Sequence, residues 1–160
     1  MKQQKLYTSC LLIAILVLAC RSTALPAATP ETASTQSASN SSLPPLPAGE
    51  TTHTLMHQGR ERSYILYVPA SLDWGRPLPL VFVFHGGSGN AQNAIHMSGF
   101  HQVADKNGFL VIYPNGTGRL SNDRLLTWYG GNCCAYAQEN NVDDVGFVRA
   151  IVAEMKTMAN

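Results

Sequence analysis

Strong charge of either sign is missing from this chain: 11 lysines and arginines stand against 10 aspartates and glutamates in 160 residues. Such a balance supplies no field to hold a polyanion or an anionic surface, so nucleic acid is not an expected partner. Cysteine is scarce, with 4 copies, and none has the zinc-site spacing of about two to four intervening residues. No His-Glu-x-x-His occurs, and His53, His57, His96 and His101 show no ligand spacing, so they read as exposed or hydrogen-bonded side chains. Neither a metal nor a cofactor is expected. Leu11 to Leu18 falls well short of the roughly 20 apolar residues that a stable membrane-spanning helix needs.

What is present divides into three parts. Residues 1–20 have the shape of a secretory signal: Lys2 and Lys5, the apolar Leu11 to Leu18, then the small Ala19. Val17-Leu18-Ala19-Cys20 resembles a bacterial lipobox, which makes Cys20 a candidate for lipidation; secretion with cleavage near Ala24 or Ala28 is the alternative. Either reading puts the domain outside the cytoplasm, secreted or lipid-anchored, with a membrane contacted only through the anchor. Residues 21–50 are rich in Ser, Thr, Ala and Pro and bury too little to offset the entropy of ordering, so a disordered linker is expected. Residues 51–160 form the folded part, roughly a hundred residues and one domain.

Within that part, Thr51 to His57 and Arg62 to Val68 are β-like runs whose short connection predicts an antiparallel hairpin. Pro79-Leu80-Val81-Phe82-Val83-Phe84 is too short for a helix and reads as a strand buried on both faces. It stops at His85-Gly86-Gly87-Ser88-Gly89-Asn90, where glycines allow a tight turn and bring bare N–H groups close to a ligand. Asn90 to Asn107 is expected to be mainly helical, with Phe100, Val103 and Ala104 on one face and a stop at Gly108. Phe109 to Tyr113 is a second apolar run, so the pair with its helical crossover predicts a parallel βαβ unit and an α/β fold. Gly116 to Asn141 is a long polar segment, and a helix begins at Asp143 or Asp144 with Val148, Ile151, Val152, Met155 and Met158 on one face.

Four blocks together resemble the secreted polyhydroxybutyrate depolymerase-like and feruloyl esterase-like α/β-hydrolases, which are serine esterases. They are Leu80 to Asn90 with its His-Gly-Gly, Gly108 to Gly116, Trp128 with Gly131-Asn132-Cys133-Cys134, and Val142 to Phe147. The resemblance implies the N-terminal half of an α/β-hydrolase sheet acting on an ester, either a polyester or a plant cell-wall ester. It also implies a Gly-x-Ser-x-Gly nucleophile beyond the last helix, followed by an acid and a histidine. No Gly-x-Ser-x-Gly occurs in this chain, so it is expected to lack the catalytic triad and to be inactive alone. A non-catalytic lipoprotein domain is the alternative.

The resemblance gives Gly87 the role of oxyanion-hole donor through its backbone N–H. In acyl transfer such donors hold the tetrahedral intermediate's negative oxygen, and losing one typically costs about 3–4 kcal/mol of barrier lowering. His85 and Gly86 would support that loop, and Ser88 belongs to it rather than to a nucleophile elbow. Trp128 is a candidate for the substrate pocket or for a core position. Cys133 and Cys134 would be oxidised outside the cytoplasm, either to each other or to other partners. Asp143 and Asp144 are expected to cap a helix, since adjacent acids rarely face one cleft as glycosidase carboxylates do.

Overall fold

The computed structural model describes residues 45–120 and 123–159. The expected signal, Cys20 and most of the expected linker lie outside them. The hairpin is present as β1 (Gly49–His57) and β2 (Arg60–Val68), in full antiparallel register from Gly49 opposite Val68 to His57 opposite Arg60. Gln58 and Gly59 form a two-residue turn with φ of 48° and 72°, the backbone signs whose twist matches the flanking strands. β2 therefore starts two residues closer to the turn than the predicted Arg62, while β1 ends at His57 as expected.

β3 (Leu80–Phe82) and β4 (Leu110–Pro114) pair in parallel, and β4 also pairs antiparallel with β2. The resulting mixed sheet has the order β1-β2-β4-β3. The β3–β4 crossover carries two helices, α1 (Ala91–Ser98) and α2 (Phe100–Asn107), rather than one. Gly99 separates them at φ 64°, a left-handed conformation that interrupts the helical path and that glycine adopts without a Cβ penalty. Gly108 ends α2 by donating its N–H to the Ala104 carbonyl at 2.8 Å.

Period-two alternation in the strands divides the core into two layers. Tyr64, Leu66, Val68, Leu110 and Ile112 face Phe147, Ile151 and Met155 of α4 (Asp144–Met158). On the other face Ile65, Val111 and Tyr113 meet Ala91, Ala94 and Ala104 of α1 and α2. β4 is buried at every position because helices cover both of its faces. β3 corrects the expectation of a strand buried on both sides: it lies at the sheet edge, so all three of its residues are only half-buried. Val103 departs from the expected α2 face: it is 44% exposed, while Ala104 is buried and Phe100 packs against the core.

α4 starts where expected. The Asp143 side chain accepts from the Gly146 N–H and supplies the cap. Its buried Phe147, Ile151 and Met155 contribute roughly 1.5–3 kcal/mol each through removal of apolar surface from water. The segment after β4 is not featureless: Thr117 bridges Thr127, Gly89 bridges Leu126, and α3 (Ala135–Glu139) forms one short helical turn.

Candidate active site

The last rung of the β3–β4 ladder is the Val83 N–H donating to the Ile112 carbonyl at 2.9 Å. Beyond it the chain turns through Phe84 to Asn90 at the carboxyl end of β3 and enters α1. Five contacts from other segments fix this loop, one of them Asn90 Nδ2 donating to the Asp123 carbonyl at 3.0 Å. Trp128 Nε1 donates to the His85 carbonyl at 3.1 Å, and the Ser88 N–H donates to the Leu126 carbonyl at 2.8 Å. Gly116 N–H donates to His85 Nε2 at 3.1 Å, and Ala91 N–H donates to Asn115 Oδ1 at 2.7 Å.

His85 is buried, and its two ring nitrogens have opposite roles. Nε2 accepts from Gly116, so the proton sits on Nδ1, which donates to the Gly86 carbonyl at 2.7 Å. Burial holds this ring below the usual histidine range, outweighing the opposing effect of the Gly86 carbonyl. Both nitrogens are occupied within the backbone, leaving the ring a brace rather than a proton carrier. Close approach is required as well. A Cβ on Gly116 would lie 2.5 Å from the Thr127 carbonyl oxygen and 3.3 Å from His85 Cε1.

The Gly87 N–H makes no hydrogen bond among the described residues, while Ser88 and Gly89 on its C-terminal side are both tied to carbonyls. Gly87 is exposed, and nothing lies within 4 Å of where a Cβ would be. An unpaired, accessible amide at the carboxyl end of a parallel strand can receive a negative oxygen without breaking a protein bond. Ser88 is exposed at φ 66°, and its hydroxyl meets neither a histidine nor a carboxylate among the described residues. It therefore has no base to activate it.

Trp128 links the loop to the apolar surface beside it. Its ring meets Phe84 edge-on at 5.2 Å and lies 4.9 Å from the His85 ring. Together with Val145, Val148, Asp144 and Arg149 these aromatics line a depression of about 510 Å³. Phe84 and Val145 leave 49% and 62% of their surface exposed there.

Asp144 does more than stand beside a helix cap. It is buried, its Oδ1 accepts from Arg62 Nη2 at 2.8 Å, and its Oδ2 accepts from the Tyr129 N–H at 2.7 Å. Arg62 is buried as well, stacks on Phe147 at 4.0 Å and donates to the Asn115 carbonyl at 3.1 Å. Burial draws the Arg62 guanidinium down, and Asp144 opposes it. Neither Arg62 nor Asn115 stands out in the sequence. The one available signal is that Arg62 shares the alternation phase of Tyr64, Leu66 and Val68, so its side chain turns to the core face and requires a buried acid.

The remaining expected residues lie apart from the loop. Cys133 and Cys134 are joined to each other by a disulfide ahead of α3. His57 Nε2 pairs with Asp143 at 3.0 Å, His53 with the Thr51 hydroxyl at 2.9 Å, and His101 stacks on Tyr67 at 3.7 Å. Among the described residues no three His, Cys, Asp or Glu side chains gather as a metal site.

No curated protein matches the chain. The family model described as "Esterase PHB depolymerase" matches residues 62–159, more than half of the sequence, spanning most of β2, all of β3 and β4, the loop and α4. The chain thus belongs to the PHB depolymerase type of esterase, a family whose substrates are esters.

Proposed function

We propose that this chain carries the front portion of an extracytoplasmic serine esterase of the polyhydroxybutyrate depolymerase or feruloyl esterase type. The carrying observation is the Gly87 N–H, unpaired among the described residues, on an exposed glycine at the carboxyl end of β3 beside a neutral, buried His85. In this reading the amide is half of an oxyanion hole, and the other donor follows a serine that this chain does not contain in a Gly-x-Ser-x-Gly setting. Acyl transfer would run through an acyl-serine supplied with its acid and histidine from a further part of the fold. The order β1-β2-β4-β3 supports a hydrolase sheet, because the outer edge of β3 is where another parallel strand would add. The depression along Trp128 and Phe84 would then border the acyl side of the ester. A leader ending at Cys20 would hold the domain outside the cytoplasm on a lipid anchor.

The 160-residue chain by itself is expected to show no turnover of a p-nitrophenyl ester. Hydrolysis blocked by a serine-directed inhibitor would overturn that expectation. The lack of a Gly-x-Ser-x-Gly in this sequence supports a second reading, a non-catalytic lipoprotein domain keeping the esterase front half. Reading the coding sequence past the Asn160 codon separates the two: an in-frame Gly-x-Ser-x-Gly supports the esterase, and a stop codon supports the second reading.

A further inference from the structure

We infer that Asn115 is a positioning residue for the His85–Asn90 loop, fixing where the Gly87 amide stands; this rests on the oxyanion-loop reading of that segment. The loop is pinned at both ends by two consecutive residues that follow β4. At its entry His85 Nε2 accepts from the Gly116 N–H, and at its exit the Ala91 N–H donates to Asn115 Oδ1 at 2.7 Å. Ala91 is the first residue of α1 and is buried, so its N–H has no partner within the helix. Asn90 caps only Asn93, at 2.9 Å, which leaves Asn115 to satisfy Ala91.

The Asn115 side chain has one orientation that satisfies all of its neighbours. Its Nδ2 donates to Ser63 Oγ at 2.9 Å, which turns Oδ1 toward Ala91. Its own N–H donates to the Ser63 carbonyl at 3.0 Å, and its carbonyl accepts from Arg62. Asn115 is itself buried, so it transmits the rigid register of β2 and β4 to the start of α1. Gly87 lies between the two anchors, and the stretch from it to Ala91 is held further by the Ser88 N–H on the Leu126 carbonyl and by Asn90 Nδ2 on the Asp123 carbonyl. A shift at Ala91 reaches Gly87 only through Ser88–Asn90, three residues that move together against those contacts.

The test is residue-resolved amide hydrogen exchange and ¹⁵N–¹H spectroscopy on the full chain with Asn115→Leu, Asn115→Asp and Ser63→Ala. Asn115→Leu removes the acceptor. It is expected to speed Ala91 exchange about tenfold or more, the equivalent of one buried hydrogen bond. The Gly87 resonance should move as well, while Val111 and Ile112 keep their protection. Asn115→Asp keeps an acceptor oxygen and should restore Ala91 protection. Ser63→Ala loosens only the donor side and should leave Gly87 in place. The inference is overturned if Ala91 and Gly87 are unchanged in Asn115→Leu, or if β4 loses protection by the same factor. It is overturned equally if Asn115→Asp exposes Ala91 as fully as leucine does. Should Asn115→Leu not fold, Asn115→Ala, which also removes the acceptor, takes its place and is held to the same outcomes. None of these rates depends on ester chemistry, so failure of the esterase reading alone would leave them as predicted.

Discussion

His85 Nε2 accepts the Gly116 N–H at 3.1 Å, while Nδ1–H on the other side of the ring donates to the Gly86 carbonyl at 2.7 Å. One neutral imidazole thus holds the loop after β3 against the turn after β4. Protonation would put a donor where Gly116 already donates, so the contact survives only with the ring uncharged.

This gives a pH dependence with a definite sign. Burial lowers the folded pKa of His85, and of His101 as well, below the unfolded histidine value of about 6.5. Above that value both states are neutral and the stability is fully present. As pH falls below it the unfolded chain takes up protons first, so stability drops until the folded pKa is passed. Urea midpoints should therefore fall between pH 7.5 and pH 5.5. His85→Gln should flatten part of that slope and leave the His101 share. An unchanged slope would mean that His85 is not held neutral.

Gly116→Ala tests the close approach. The added methyl would meet the Thr127 carbonyl at 2.5 Å and His85 Cε1 at 3.3 Å, and a backbone oxygen cannot swing away. Overpacking of this kind costs about 1–3 kcal/mol. Denaturant unfolding should show that loss, and the Gly87 amide resonance should shift with it. Wild-type stability with an unmoved Gly87 would contradict the packing described.

The buried pair of Arg62 and Asp144 is expected to be costly to split. Asp144→Leu leaves the guanidinium buried without its acid, and Arg62→Leu strands the carboxylate. Each should lose about 3–5 kcal/mol, whereas the double leucine variant should recover much of that. A double-mutant cycle with near-additive losses would show that the two charges do not depend on each other.

The outer edge of β3 and the exposed Phe84 and Val145 form an apolar, unpaired border among the described residues. Such borders promote association between chains. Sedimentation should show concentration-dependent association that Val145→Glu, on the first turn of α4, reduces without loss of helicity. A wild-type chain that stays monomeric at high concentration would contradict this.

Much of the framework is legible in the residues themselves. Leu110 to Tyr113 is a continuous apolar run because helices cover both faces of the central strand, and Asp143 announces α4 through its side-chain cap. The alternating hairpin is equally local, though its turn takes only Gln58 and Gly59 where the expected connection ran to Glu61. β3 misleads for a definite reason: the hydrophobicity of its run is like that of β4, and only the strand order makes it an edge.

The sequence by itself determined the hairpin, the two apolar strands with their helical crossover and the start of α4, because propensity, periodicity and capping act between residues a few positions apart; the break at Gly99 and the short α3 emerged only in the structure. Only the tertiary structure decided that Arg62 meets Asp144, that Asn115 holds Ala91, and that the His85 ring is neutral between Gly86 and Gly116. Those contacts join segments brought together by the sheet order. Burial then gives each polar group one set of partners, which no single stretch of chain can encode.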